Sequence, residues 1–210
     1  MSQPVLICRP GERGEALAAA LRERGESVES LNVMQLEALP ETPEMRRIWL
    51  DIDQYHKIIV ISPFAATCLS EALDRFWPQL PIGIDYYSVG SATAATLYDQ
   101  LGVRVHVPAP SAGEDTSEAL LALASLQQLG HQRILLVAGE GGRPLLAETL
   151  AERGAQVTRV AVYRRTFHPL EPALQTRLCS GNYRALIVTS SELLEHLAKW
   201  CNQAALNQPL

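Results

Sequence analysis

The sequence lacks the features that mark several classes of protein. Its 210 residues include four cysteines, none in a C-x-x-C pair, so neither a disulfide framework nor a zinc site is indicated. No apolar run approaches the roughly 20 residues of a membrane-spanning helix. The N-terminus has no basic region followed by an apolar core, the pattern of a signal peptide. We therefore expect a cytoplasmic protein with reduced thiols and no membrane association.

Positive charge and recognisable catalytic motifs are also scarce. The 18 Lys and Arg residues face 23 Asp and Glu residues, which gives a formal net charge of -5 and no general attraction to nucleic acid or to anionic membranes. The five histidines show no metal-ligand spacing. The sequence has no G-x-S-x-G nucleophile elbow, P-loop or complete G-x-G-x-x-G fingerprint. Any anionic ligand must therefore be bound by local donors.

The sequence does contain an internal repeat. Residues 134–165 align without a gap on residues 5–36, at an offset of 129 positions. Nine aligned positions are identical, among them the Glu-Arg-Gly run at 23–25 and 152–154. Both stretches have the pattern strand, turn, helix, glycine, strand. An internal duplication explains this run of matches in one register better than chance does.

A second pair of segments extends the repeat. Residues 185–191 align on residues 57–63 at an offset of 128, which places Ser190 on Ser62. At this spacing the counterpart of residues 88–97 would begin near residue 216, which is 88 plus 128. We therefore expect the sequence to lack about a third of the second copy.

Short apolar runs alternate with amphipathic segments, which predicts an α/β protein with parallel sheets and right-handed crossovers. The predicted strands cover 5–8, 28–36, 57–61, 85–89, 103–107, 157–165 and 185–189, with one more beginning at residue 134. The predicted helices cover 45–54, 64–76, 90–101, 117–129 and 192–200, with two more ending before Gly25 and Gly154. Ser62 is expected to cap helix 64–76, and Asp115 with Glu118 to start helix 117–129 as a capping box.

Polar residues collect where the predicted strands end, and ligands of parallel sheets bind at that edge. The candidates for binding are Arg9, Ser62, Ser91, Thr93, Gly139, Gly142, Arg143, Ser190 and Ser191. Taken singly, the serines are expected as helix caps and the Gly-rich turn as a tight connection. Taken together, their N–H groups, hydroxyls and guanidinium groups could bind several carboxylates. Tyr163 is either a half-buried strand residue or a proton donor.

Five segments in order carry a family resemblance. They are RPGERGEALAAALRERG at 9–25, ISP at 61–63, SVGSATAATLYDQLG at 88–102, GEGGR at 139–143 and GAQVTRVAVYRR at 154–165. In this order and spacing, the sequence resembles the uroporphyrinogen-III synthase family over essentially its whole length.

The resemblance implies two flavodoxin-like or Rossmann-like parallel-sheet domains with an interdomain cleft. The first domain would take residues 1–36 plus 168–210, and the second would take residues 37–167. The two connections would be the extended strands 28–36 and 157–165.

The resemblance also implies an activity. Members of this family cyclise hydroxymethylbilane to uroporphyrinogen III, with loss of water and inversion of ring D, and need no metal or organic cofactor. The family's implicated tyrosine falls on Tyr163, its Gly-x-Ala-Thr threonine on Thr93, and its serine turns on Ser62 and Ser190. A monomer is expected.

Two other functions fit a two-domain cleft. A nucleotide-sugar transferase would carry a nucleotide-binding acidic residue after a strand, and none is found. A non-catalytic hinged ligand-binding or sensor module would normally carry a signal peptide or an output domain, and neither pattern is seen. An assay with hydroxymethylbilane distinguishes the three functions, because only the synthase would convert it to the type III product.

Overall fold

The structure, a computed structural model, describes residues 2–109 and 116–206. The strands are β1 (Val5–Cys8), β2 (Val28–Ser30), β3 (Met34–Ala38), β4 (Lys57–Val60), β5 (Asp85–Ser88), β6 (Val105–His106), β7 (Arg133–Gly139), β8 (Gln156–Phe167) and β9 (Ala185–Val188). The α-helices are α1 (Glu12–Glu23), α2 (Pro43–Leu50), α3 (Pro63–Phe76), α4 (Ser91–Leu101), α5 (Ser117–Leu121), α6 (Leu145–Glu152), α7 (Pro172–Ser180) and α8 (Ser191–Leu206). Within the described residues, no helix is long and apolar enough to cross a membrane.

The chain folds as two compact α/β units. The first unit combines Met1–Gln35 with Thr166–Leu210, and the second is Leu36–Arg165. The chain passes between the units inside β3 and inside β8, which are neighbours in one sheet. Leu39 N–H donates to the Val162 carbonyl, and His168 N–H donates to the Val33 carbonyl. Because the residue numbers rise on one strand as they fall on the other, β3 and β8 are antiparallel.

The first unit contains a three-stranded parallel sheet with the order β2-β1-β9. All four residues of β1 are buried. Leu6 and Cys8 pack in a cluster with residues of α7 and α8, and Val5 and Ile7 pack in a second cluster with residues of α1. Helices therefore cover both faces of this sheet, which explains why its central strand is apolar throughout.

The second unit contains a six-stranded sheet with the order β3-β8-β7-β4-β5-β6. Strands β4 to β8 run parallel. On one face, Ile58 and Val60 pack with residues of α2, α3 and α4. On the other face, Ile59 packs with residues of α5 and α6. The doubly covered parallel sheet brings the polar ends of β4, β5 and β7 to one edge.

The sheet registers agree with the internal repeat. Val5 pairs with Val28 on β2, and its counterpart Ile134 pairs with Val157 on β8. Val5 also pairs with Ala185 on β9, just as Ile134 pairs with Lys57 on β4. The order β2-β1-β9 thus repeats the order β8-β7-β4, and the two copies share topology as well as sequence.

The helices of the two copies also end in the same way. Gly25 has a φ of +84°, and its N–H donates to the Arg22 carbonyl, while Glu26 N–H donates to the Leu21 carbonyl. Gly154 has a φ of +99° and the same two-bond pattern. This is a Schellman motif, in which glycine avoids the cost of a left-handed backbone. The shared Glu-Arg-Gly run therefore marks a shared helix end.

Several predicted elements need correction. The predicted strand 28–36 is split into β2 and β3, because β2 pairs with β1 in one sheet whereas β3 pairs with β8 in the other. The predicted helix 45–54 ends at Leu50 and is followed by a 3-10 turn, Ile52–Gln54. The predicted strand 103–107 is longer than the observed strand, β6, which has two residues. The sequence-based prediction did not include α7, which starts at Pro172 and ends before Gly181, a residue with left-handed backbone conformation.

The predicted helix 117–129 was wrong in both length and cap. Thr116 is the cap, and its hydroxyl accepts a hydrogen bond from Ala119 N–H. Asp115, the predicted cap, lies outside the described residues. The helix ends at Leu121, whose carbonyl accepts from the side chains of Arg153 and Gln127, both at 2.7 Å. Side chains thus satisfy a carbonyl that a continued helix would have paired with a backbone N–H.

Candidate functional site

The candidate site lies at the carboxyl edge of the six-stranded sheet. Ser62 follows β4, Gly90 follows β5, and Gly139 ends β7. These strands are parallel and adjacent or nearly adjacent, so their ends meet at one edge. Tyr163 is paired with Gly139 across β7 and β8. The sheet therefore gathers one phenol, one serine and the Gly-rich turn.

An irregularity in β8 aims the Tyr163 side chain. Ala138 pairs with Ala161, but the next residue, Gly139, pairs with Tyr163, so Val162 is an additional residue on β8. Val162 and Tyr163 both pack in the core cluster beneath α3, although consecutive strand residues normally face opposite ways. This β-bulge turns the phenol toward the start of α3.

The Tyr163 ring is enclosed on several sides. Its exposed fraction is 6%. Phe64 contacts it edge to face, with ring centroids 5.2 Å apart and an interplanar angle of 71°. Gly139 lies against the ring so closely that a Cβ there would stand 2.6 Å from Cε2 and Cζ. Glycine at 139 is therefore required for the ring to lie where it does.

Two polar groups meet at the phenol oxygen. Ser62 Oγ donates a hydrogen bond to Tyr163 Oη at 3.0 Å. The same Ser62 oxygen caps α3, accepting from Ala65 N–H at 3.2 Å. The sequence-based prediction that Ser62 caps this helix is confirmed, and Pro63 occupies its first turn.

The Gly-rich turn after β7 is fastened by an arginine. The exposed guanidinium of Arg159 donates to the carbonyls of Gly139 and Gly141, at 2.7 and 2.5 Å. Gly141 and Gly142 have φ values of +73° and +86°, so the turn depends on glycine at both positions. The turn is thus held in one conformation by a side chain from the neighbouring strand.

Arg143, at the end of this turn, is engaged with an acidic residue. Its guanidinium lies 2.5 Å from Glu118 Oε1, and both side chains are more than half exposed. The hydrogen bond from Arg143 lowers the pKa of the Glu118 carboxyl, and the same bond raises the pKa of Arg143. The predicted anion-binding cation therefore already has a carboxylate partner.

The start of α4 differs from the start of α3 because no side chain caps it. Its N-cap is Gly90, which has no side chain, and Ser88 Oγ instead donates to the Gly90 carbonyl at 2.9 Å. Ser91 is exposed, and Thr93 is 3% exposed. The first N–H groups of a helix lack intrahelical acceptors and carry partial positive charge. This helix start is suited to a carboxylate.

The remaining predicted residues lie in the first unit, at the corresponding edge of its sheet. Ser190 caps α8 and accepts from Leu193 N–H at 3.2 Å, as Ser62 does for α3. Ser191 is the first residue of that helix and is exposed. The Arg9 carbonyl lies against the start of α1, where a Cβ on Gly14 would stand 1.8 Å from its oxygen.

The structure brings Ser62, Gly139 and Tyr163 into direct contact, whereas Arg143 pairs with Glu118 and Ser190 caps α8. Sequence reasoning missed Phe64 and Arg159. Phe64 directly follows Ser62-Pro63, and that position was the available signal. Arg159 is a basic residue between the apolar residues Val157 and Val160, and its charge there was the available signal.

Sequence comparisons connect this chain to known proteins. The family model described as uroporphyrinogen-III synthase HemD matches residues 15–209. A uroporphyrinogen-III synthase of Salmonella typhimurium is 31% identical over 194 residues, covering 92% of this chain and 78% of that protein. One from Proteus mirabilis is 34% identical over 163 residues, covering 78% of this chain and 80% of that protein.

Solved structures agree at the level of the fold. A uroporphyrinogen III synthase mutant from the extremely thermophilic bacterium Thermus thermophilus superposes with a TM-score of 0.62 at 23% identity, covering 94% of this chain and 77% of that one. A uroporphyrinogen-III synthetase from Helicobacter pylori gives 0.54 at 15% identity, covering 98% and 99%. Family, relatives and fold agree over nearly the whole sequence, and the chain therefore belongs to the uroporphyrinogen-III synthase family.

Proposed function

We propose that this chain is a uroporphyrinogen-III synthase, a cyclising lyase of tetrapyrrole biosynthesis that acts on hydroxymethylbilane. The observation that carries the proposal is the family match over residues 15–209. The candidate site fits such a substrate because the same edge of the sheet offers a buried phenol and an uncapped helix start. These groups suit a polycarboxylate that has to lose a hydroxyl.

Tyr163 is the proposed proton donor. Its phenol hydrogen passes to the departing hydroxyl of the bilane, the carbon–oxygen bond breaks, and water leaves with the bonding electrons. The N–H proton of the same pyrrole returns to the phenolate, which leaves a neutral azafulvene. The substituted carbon of ring D attacks the azafulvene methylene and forms a spiro intermediate. The bond from that carbon to its original methylene bridge then breaks, and the freed methylene bonds to the other α-carbon of ring D, which loses its proton, so ring D is inverted as the macrocycle closes. General acid assistance of this kind contributes typically 10²–10⁴-fold to a rate.

The substrate carboxylates are proposed to bind backbone N–H groups. In the second unit, the start of α4 at Ser91 and Thr93 and the turn through Gly139 and Gly142 supply such groups. Arg143 joins them by exchanging Glu118 for a substrate carboxylate. Holding several carboxylates at once fixes a flexible chain in the geometry of one closure.

The first unit is proposed to contribute similar groups. The residues are Arg9, after β1, and Ser190 and Ser191, at the start of α8. The serine hydroxyl at 190 already caps its helix, so the N–H groups of that turn are the proposed donors.

The decisive experiment supplies hydroxymethylbilane to the purified protein and separates the oxidised type I and type III porphyrins. The proposal predicts the type III isomer in excess of the type I isomer that forms spontaneously. Spontaneous product alone would leave a non-catalytic ligand-binding module as the better description. Dialysis against a metal chelator is expected to leave the rate unchanged, since the proposed reaction uses no metal or organic cofactor.

We also propose that the protein acts in the cytoplasm as a monomer. All four cysteines are free thiols, the state expected in a reducing compartment. Burial raises the pKa of the Cys8 thiol to about 11, which keeps it protonated. Cell fractionation tests the compartment, and light scattering on the purified protein tests for a mass near the 23.0 kDa of one chain.

A further inference from the structure

We infer that Ser62 is a positioning residue for Tyr163, which orients the phenol hydrogen toward the substrate rather than binding substrate itself. The inference rests on the proposed function. It goes further by giving the Ser62 hydroxyl a role in directing the proton that Tyr163 donates.

The Ser62 oxygen takes part in two hydrogen bonds. A serine hydroxyl has one hydrogen to donate and two lone pairs. Its oxygen accepts from Ala65 N–H at 3.2 Å, and its hydrogen goes to Tyr163 Oη at 3.0 Å. The phenol oxygen thus accepts from Ser62, and the phenol hydrogen remains available for another acceptor.

The Ser62 hydroxyl is held rigidly by its position in the chain. Ser62 lies in extended conformation at the N-cap, and Pro63 follows in the first turn, where its ring fixes φ. The helix behind it is anchored by the buried residues Ala65, Ala66 and Leu69. The Ser62 hydroxyl is therefore attached to one of the firmly packed elements of the second unit, as a group that orients a catalytic side chain should be.

The phenol ring of Tyr163 is confined by its neighbours. Gly139 and Phe64 enclose it, so the ring has little freedom to tilt. The remaining freedom is rotation of the hydroxyl about the carbon–oxygen bond, which keeps the hydrogen near the ring plane on one side or the other. A donor at 3.0 Å on one side of the oxygen directs the phenol hydrogen to the other side.

The internal repeat separates this role from helix capping. Ser190 caps α8 with the same 3.2 Å bond that Ser62 makes, and its counterpart relation to Ser62 follows from the 128-residue offset. At the 129-residue offset, the position matching Tyr163 is Met34, which has no hydroxyl. The cap is common to both copies, whereas the bond to a phenol is specific to Ser62.

The test uses Ser62→Gly and Ser62→Thr, each in the wild-type and the Tyr163→Phe background. Glycine is an accepted N-cap that costs only a few tenths of a kcal/mol relative to serine, so Ser62→Gly removes the hydroxyl and preserves the helix. Thr42→Gly is the matched control, because Thr42 caps α2 in the same unit, accepting from Met45 N–H at 3.1 Å. Thermal melts establish that each variant is folded.

We expect Ser62→Gly to lower kcat for type III formation roughly 5- to 20-fold, the worth of one hydrogen bond to a reacting group, with little change in KM. Ser62→Thr should stay within about twofold of wild type, because it restores the hydroxyl. In the Tyr163→Phe background, Ser62→Gly should cause no further loss, because the two residues act as a unit.

The inference is overturned if Ser62→Gly lowers kcat by the same factor with and without the Tyr163 hydroxyl, or if Thr42→Gly causes an equal loss. A rise in KM at constant kcat would also overturn it, since that result would assign Ser62 to substrate binding. Wild-type protein is assayed first: failure to form the type III isomer there would overturn the proposed function and this inference with it.

Discussion

The two copies of the repeat have the same backbone plan but differ in the turn that follows the first strand. In copy one, residues 5–36, α1 begins at Glu12, soon after β1. In copy two, residues 134–165, the helix begins at Leu145, four positions later in the aligned register. Both helices end at the equivalent residues Glu23 and Glu152. The helix end is thus fixed in both copies, and the turn is where they diverge.

A single position explains much of this difference. Gly14 lies so close to the Arg9 carbonyl that any Cβ would collide with it. The aligned residue in copy two is Arg143, which could not occupy that place. Copy two instead opens the turn through Gly141 and Gly142, both with positive φ, and fastens it with Arg159.

The second strand differs as well, and the chemistry follows it. Copy one splits this segment into β2 and β3, whereas copy two keeps one strand, β8, with a bulge at Val162. The bulge presents Tyr163, and Gly139 gives the ring its space. Their aligned positions are Met34 and Pro10. The duplication therefore preserved the fold in both copies, and the candidate proton donor occurs in one.

The largest expected effect on stability is that of Gly14→Ala. The added Cβ would stand 1.8 Å from the Arg9 oxygen, so the backbone of the copy-one turn has to move. We expect a loss of about 3 kcal/mol or more in the free energy of unfolding, in the range of strongly strained substitutions. Urea denaturation measures it. A loss below about 1 kcal/mol would show that the tight turn of copy one does not depend on glycine.

The two Schellman glycines give the next largest effect. Gly25→Ala places a Cβ in open space at positive φ, and the backbone strain alone should cost about 1 to 2 kcal/mol. Gly154→Ala adds a contact of 3.1 Å with the Gly130 Cα, so it should cost about 1 kcal/mol more than Gly25→Ala. Parallel denaturation curves decide the order. Equal losses in the free energy of unfolding would mean that the backbone around Gly130 moves to accommodate the Cβ without strain.

The smallest effect concerns the exposed pair of Arg143 and Glu118, which copy one cannot form because Gly14 replaces the arginine. In the native protein, the pKa of Glu118 is lowered by its hydrogen bond to Arg143. The associated stabilisation is present above the unfolded-state pKa of the carboxyl and is lost as pH falls through the lower, native pKa. Carbon-detected NMR should show Glu118 titrating higher in Arg143→Ala. If the pKa of Glu118 is the same in this variant as in the wild-type protein, Arg143 is not the cause of its lowering.

Much of the fold was predictable because buried parallel strands have short, continuous apolar sequences. β1 was predicted at its observed bounds, and the predicted ends of β4 and β9 were each within one residue of the observed ends. The caps Ser62 and Gly25 were also readable, because a serine before proline and a glycine after a periodic segment have local physical causes. The end of α5 was not readable, because the Leu121 carbonyl there accepts from Arg153, 32 positions away, as well as from the nearby Gln127.

The candidate site was predictable in its residues but not in its contacts. Ser62 and Tyr163 are 101 positions apart, and no local pattern states that they are bonded. The bulge that turns Tyr163 toward α3 arises from pairing between two strands, which a single segment does not encode. The family resemblance, rather than spacing, singled out Tyr163.

The most direct test of the account compares Tyr163→Phe with Met34→Leu, its aligned position in copy one. Hydroxymethylbilane is supplied to each variant, and the initial rate of type III formation is measured after oxidation, with thermal melts as the folding control. We expect Tyr163→Phe to lower the rate by about 10²-fold or more, since it removes the proposed acid. Met34→Leu should leave it within about twofold, as a volume-conserving substitution. Equal rates in the two variants would contradict the assignment of the chemistry to copy two.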